Sequence, residues 1–156
     1  MLSSEGRTDL SIPFHLLLPH ELYLEMIAQA WAERPNECCG ILAGHIDESP
    51  TAGTSRQARV ERRYPLINAL ASPTEFESEA RSMLHACRDM DSQGLEMLAV
   101  YHSHPASDPV PSKKDRERSL DESIMAVIIS LKGAEPQTCA WWLTADAFRA
   151  ATWEIV

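Results

Sequence analysis

Apolar residues recur along this chain with two periods. From Pro19 to about Glu33, the residues Leu22, Tyr23, Met26, Ile27, Ala30 and Trp31 fall at helical spacing, which predicts an amphipathic helix. Pro19 suits its first turn, where a missing N–H is not needed, and Pro35 helps to end it. The run CCGILAGH is short and apolar, as a buried strand would be. Residues 47–57 (DESPTAGTSRQ) read as a turn-rich connection, and ARVERRYPLIN as one or two strands broken near Pro65. A second helix is expected over about 78–91, with Ala80, Met83, Leu84, Cys87 and Met90 on one face and Gly94 placed to terminate it. LEMLAVYH is apolar on both faces, the pattern of a central strand covered on both sides. A helix over about 113–122 and three strand-like runs, IMAVIISL, TCAWWLT and FRAATWEIV, complete the chain. The order αβββαβαβββ predicts an α/β domain, a mixed sheet with helices packed on it. Residues 1–12 read as a flexible polar arm ahead of a single domain spanning 13–156.

Composition agrees with that outline. The 156 residues are 44% hydrophobic and 24% charged, enough for one substantial core. No apolar run approaches the ~20 residues of a membrane-spanning helix. The segment before Pro19 lacks the basic lead and long apolar core of a signal peptide, so neither a membrane nor export is expected. A formal charge of −9 argues against nucleic acid as a partner. One local exception is KKDRER, where Lys113, Lys114, Arg116 and Arg118 form a basic cluster suited either to a solvated helix face or to an acidic partner surface. Cys38, Cys39, Cys87 and Cys139 form no CxxC pair, which fits buried free thiols in a reducing cytoplasm rather than a disulfide framework or a cysteine metal site.

The stretch HSHPASDPVPSKKD, residues 102–115, carries the candidate chemistry. Strand side chains alternate faces, so His102 and His104 project to the same side, with backbones roughly 7 Å apart. A histidine pair by itself is more often a pair of ordinary surface or core residues than a metal site. Ser112 and Asp115 stand at capping-box spacing, which a helix start explains without any chemistry. Together the halves supply two imidazoles and a carboxylate, three ligands for a catalytic Zn²⁺ that keeps its fourth position for water. Such an ion brings the pKa of its water from ~16 to near 7. Hydrolysis would further need a carboxylate base and a donor for the developing oxyanion, a role open to Ser112. Several acids are candidates for the base. HExxH, HxHxDH and HxE with a later CxxC are all missing, which sets aside zincins, metallo-β-lactamase-like sites and nucleobase deaminases. Two helical patterns and only 6 glycines disfavour a cupin.

The same stretch resembles the signature of the JAMM (MPN+) metalloproteases: H-[ST]-H-P, six further residues, then S-x-x-D. NECCGILAG and YPLINALASPTEFE are similar to segments of compact bacterial and archaeal members, so the likeness runs from about residue 20 onward. The resemblance implies a single MPN domain with a mostly antiparallel sheet. It implies that His102, His104 and Asp115 bind Zn²⁺, that Glu37 is the general acid/base, and that Ser112 supports the tetrahedral intermediate. It also implies a peptidase or isopeptidase acting at the C-terminal tail of a ubiquitin-like sulfur-carrier protein. A metal-bearing scaffold module and a general small-peptide hydrolase are the alternatives. The chain has little room for the insertions with which larger relatives grip polyubiquitin.

Overall fold

The computed structural model describes residues 13–48, 56–119 and 121–156. The expected arm over 1–12 and most of the connection over 47–57 lie outside them. Among the described residues the order is β1 (Phe14–Leu18), α1 (His20–Glu33), β2 (Cys39–Asp47), β3 (Arg56–Leu66), α2 (Ala80–Gln93), β4 (Glu96–His104), α3 (Lys113–Glu117), β5 (Met125–Ser130), β6 (Gln137–Leu143), β7 (Phe148–Ala150) and β8 (Trp153–Ile155). All eight strands join one sheet in the order β7-β6-β5-β4-β2-β3-β1-β8. Four of the seven pairings are antiparallel; β4–β5, β1–β3 and β1–β8 are parallel. The expected α/β class with a mixed, mostly antiparallel sheet is what the chain adopts.

The two sheet faces are covered differently. Met26 and Ala30 of α1 sit in a large core with Leu16, Leu18, Leu42, Val60, Tyr101, Val127 and Ile129. On the other face, Ala86 and Met90 of α2 cover Cys39, Ile41 and Ala43. α2 therefore shields only the strands near β2, and the C-terminal end of β4 remains open on that side for polar side chains. Tyr101 packs so tightly against β2 that a Cβ added to Gly40 would lie 2.2 Å from its ring.

Several details depart from the sequence reading. Residues 14–18, to which the sequence reading assigned no element, form β1 between β3 and β8. Pro65 does not break β3. β1 pairs only with Arg56–Arg59, so the second half of β3 has β2 alone as a neighbour and tolerates a residue without an N–H. FRAATWEIV divides into two short strands on opposite edges of the sheet. Helix α2 starts two residues later than expected and turns Leu84 to solvent at 50% exposure, while Gly94 closes it in the left-handed conformation. Trp31 is likewise 38% exposed. α3 ends at Glu117 instead of running to 122. Pro19 precedes α1, which has no side-chain cap. Its first N–H, from His20, donates to Val156 O at 2.9 Å, and Val156 N–H donates to Leu18 O at 2.9 Å. No described helix is long and apolar enough to cross a membrane.

Candidate metal centre and active site

The centre forms where β4 and β2 pair. Cys39 faces His102 in an antiparallel register, so the next positions on the same face bring Glu37 opposite His104. The loop after β4 then carries the chain to α3, whose first turn returns Asp115 to the histidines. His102 Nε2 and His104 Nε2 lie 3.1 Å apart, and Asp115 Oδ2 is 3.2 Å from each. Those three distances are close to the edges of a tetrahedron around an ion with bonds of about 2.0 Å, which are roughly 3.3 Å long. Ligand-capable atoms of Glu37, His102 and His104 also lie within 4.8 Å of one another. Two carboxylates thus flank one histidine pair, with Asp115 at 3.2 Å from both imidazoles. The donor set of two imidazoles and a carboxylate fits a small dication of the first transition row.

Each ligand atom is aimed by a neighbour. His104 Nδ1–H donates to Asp108 O at 2.7 Å, which fixes the ring with Nε2 turned toward Asp115. His102 is held by the Phe76 ring stacked on it, with centroids 4.5 Å apart and planes at 26°. The Ser112–Asp115 capping box is complete: Ser112 N–H donates to Asp115 Oδ2 at 2.9 Å, and Asp115 N–H donates to Ser112 Oγ at 3.1 Å. One side of the Ser112 oxygen is occupied by that bond, so its own proton is available to a third partner.

Electrostatics separate the two carboxyls. Burial disfavours charge on Asp115, yet hydrogen bonds from His102, His104 and the Ser112 amide outweigh it and hold its carboxyl well below the usual range. Burial acts in the other sense on Glu37, which is 3% exposed with Oε1 unpartnered, and raises its pKa to about 8. Nearby His104 only partly offsets that rise. Burial lowers the pKa of His102 against the pull of Asp115, favouring the neutral ring a metal requires. One carboxyl that stays ionised beside another that exchanges a proton near neutrality is the arrangement of a hydrolytic centre.

All five residues singled out in the sequence therefore lie within one centre. The basic cluster beside it is engaged internally. Lys114 and Arg118 pair with Glu75 at 2.9 and 3.3 Å, Lys113 pairs with Glu117, and Arg116 lies over the Phe148 ring. A cavity of about 380 Å³ opens beside His102 and Asp115, with Val100, Ala126 and Leu143 among its apolar lining and Glu75 and Arg118 also facing it. Sequence reasoning did not single out Phe76, Glu75 or Asn68. All three lie within the segment YPLINALASPTEFE, whose likeness to compact family members was the available signal.

Comparison with known proteins agrees with this geometry. Residues 19–144 match the family described as prokaryotic homologs of the JAB domain. The chain is 30% identical over 132 residues to the desampylase of Pyrococcus furiosus, covering 85% of each chain. It is 34% identical over 121 residues to the desampylase of Haloferax volcanii, covering 77% of this chain and 78% of that one. It is also 30% identical over 117 residues to the CysO-cysteine peptidase of Mycobacterium tuberculosis, covering 75% of this chain and 74% of that one. The solution structure of a protein from Desulfitobacterium hafniense superposes with a TM-score of 0.78 at 33% identity, over 90% of this chain and 92% of that one. With the signature residues gathered at one centre and the match spanning most of the fold, the chain belongs to the prokaryotic homologs of the JAB domain.

Proposed function

We propose that this chain is a zinc-dependent peptidase or isopeptidase that cleaves at the C-terminal tail of a ubiquitin-like sulfur-carrier protein. The observation that carries the reading is the near-tetrahedral triangle of His102, His104 and Asp115 beside the buried Glu37. The relatives support the substrate class, since they are named as desampylases and as a CysO-cysteine peptidase. His102, His104 and Asp115 are the proposed ligands. Zn²⁺ held there supplies a Lewis acid and acidifies a water toward neutral pH.

The residues of the chain do the rest. Glu37 accepts a proton from the attacking water and delivers it to the departing nitrogen, a role open to a buried carboxyl beside the ligand set. Ser112 donates its free hydroxyl proton to the oxygen that becomes negative at the scissile carbonyl. The cavity beside His102 receives substrate. The free, largely buried cysteines suit a reducing cytoplasm, where we place the activity.

Glu37→Gln tests the assignment. With a ubiquitin-like carrier joined through its C-terminal glycine to the ε-amine of a fluorescent lysyl peptide, the variant should bind one zinc and lose turnover by two orders of magnitude or more. Normal turnover by Glu37→Gln would remove Glu37 from the reaction. A folded wild-type protein that binds no zinc at neutral pH would overturn the metallopeptidase reading itself.

A further inference from the structure

Among the described residues the carboxyl oxygen Oε1 of Glu37 has no hydrogen-bond partner, so the placement of this side chain depends strongly on its backbone. That backbone is held in an unusual way. Glu37 N–H donates to Ser72 O at 2.8 Å. The next peptide unit, between Glu37 and Cys38, is gripped at both ends by side chains: Asn68 Nδ2 donates to Glu37 O at 3.1 Å, and Cys38 N–H donates to Ser103 Oγ at 2.8 Å. Both side chains are buried.

Asn68 has no hydrogen-bonding capacity left over. Its second N–H donates to Glu75 O at 3.1 Å, and its Oδ1 accepts from Leu70 N–H at 3.1 Å and Glu77 N–H at 3.2 Å. The amide therefore ties Glu37 to the loop that stacks Phe76 on His102 and lines the cavity with Glu75. Ser103 approaches from the opposite strand, one position from each histidine. Its backbone N–H also donates to Cys38 O at 3.1 Å, so β4 locks the residue after Glu37 twice.

We infer that Asn68 and Ser103 are positioning residues that fix the Glu37–Cys38 peptide plane and so aim the Glu37 carboxyl. The inference rests on the reading of Glu37 as the general acid/base. Neither residue is a metal ligand. Asp in place of Asn68 keeps the size and both acceptor contacts but turns an oxygen toward Glu37 O and Glu75 O. Ala in place of Ser103 leaves Cys38 N–H without its acceptor, whereas Thr restores the hydroxyl and is admitted by the H-[ST]-H-P pattern. A misplacement of about 1 Å at a reacting group can cost on the order of a hundredfold in rate.

The test uses full-length protein and the fluorescent carrier–lysyl conjugate. Asn68→Asp and Ser103→Ala should each lower kcat at least tenfold with KM within about threefold of wild type. Zinc stoichiometry and the visible spectrum of the Co²⁺-loaded protein should be unchanged. Ser103→Thr should return kcat to within about threefold of wild type. Wild-type kcat in both Asn68→Asp and Ser103→Ala would overturn the inference, as would a loss carried by KM or a Ser103→Thr protein as slow as Ser103→Ala. Should Asn68→Asp not fold, the Ser103 pair decides alone. Glu37→Gln run alongside separates the two levels: its normal turnover refutes the assignment of the base, whereas normal kcat in the positioning variants beside an inactive Glu37→Gln refutes only the positioning.

Discussion

A buried carboxyl that resists ionisation should leave a signature in the stability of the metal-free protein. Burial raises the Glu37 pKa from 4.5 to about 8, with His104 opposing and Asp115 and Glu75 adding to the rise. A group whose folded pKa is raised contributes its full stability below the unfolded pKa, where both states carry the proton. That contribution is lost as the pH climbs through about 8, because the unfolded chain ionises first. At about 1.4 kcal/mol per unit, the loss reaches roughly 3 kcal/mol by pH 7 and on the order of 5 kcal/mol above pH 9. Against a total of ~5–15 kcal/mol for a domain, this is large. Glu37→Gln removes this titration and leaves the other titrating groups of the centre present in both proteins. Urea unfolding of chelator-treated wild type and Glu37→Gln from pH 5 to 9 should therefore show the wild type losing at least ~2 kcal/mol relative to the variant. A constant difference across that range would refute the reasoning, because the carboxyl would then ionise as freely in the fold as in the unfolded chain.

Other consequences can be measured directly. Ser112→Ala removes both the helix cap and the proposed oxyanion donor. It should cost about 1 kcal/mol of stability by denaturant unfolding and lower kcat by roughly 10²–10³. Gly40→Ala drives a methyl to 2.2 Å from the Tyr101 ring and should destabilise by at least ~1–3 kcal/mol, visible as a lowered midpoint at unchanged m-value. Chelation should abolish conjugate cleavage and stoichiometric Zn²⁺ should restore it. His102→Ala should prevent restoration because it removes one of the three nitrogen and oxygen atoms that define the triangle.

Legibility in the sequence followed the range of the forces involved. The central strand and both long helices were readable because each side chain meets one kind of environment along its element. β1 was not, since FHLLL becomes a strand only when Arg56–Arg59 and Trp153–Ile155 arrive to pair with it. Pro65 signalled a break that never came, because the local cost of a missing N–H vanishes where a strand has one neighbour. In the site, HxH and SxxD were local patterns, and each was ambiguous alone. The placement of Glu37 opposite His104 depended on strand register, which no spacing within either segment specifies. Asn68 escaped notice for the same reason, since its four partners are backbone groups of Glu37, Leu70, Glu75 and Glu77. The basic cluster read as a free surface because Glu75, about forty positions away, could not be recognised as its partner.

The bond between His20 and Val156 has a bearing on how the protein is made. A ribosome releases α1 early, yet the acceptor for the first N–H of that helix is Val156, and β1, which can meet β3 soon after, gains its second sheet neighbour only from Trp153–Ile155. The large core of which α1 forms one wall includes Ala140 and Trp142, with Trp153 packed against it, so its packing is completed only when those late residues have been made. A polypeptide arrested before them would leave that side of the core, and the apolar side chains facing it, accessible to chaperones.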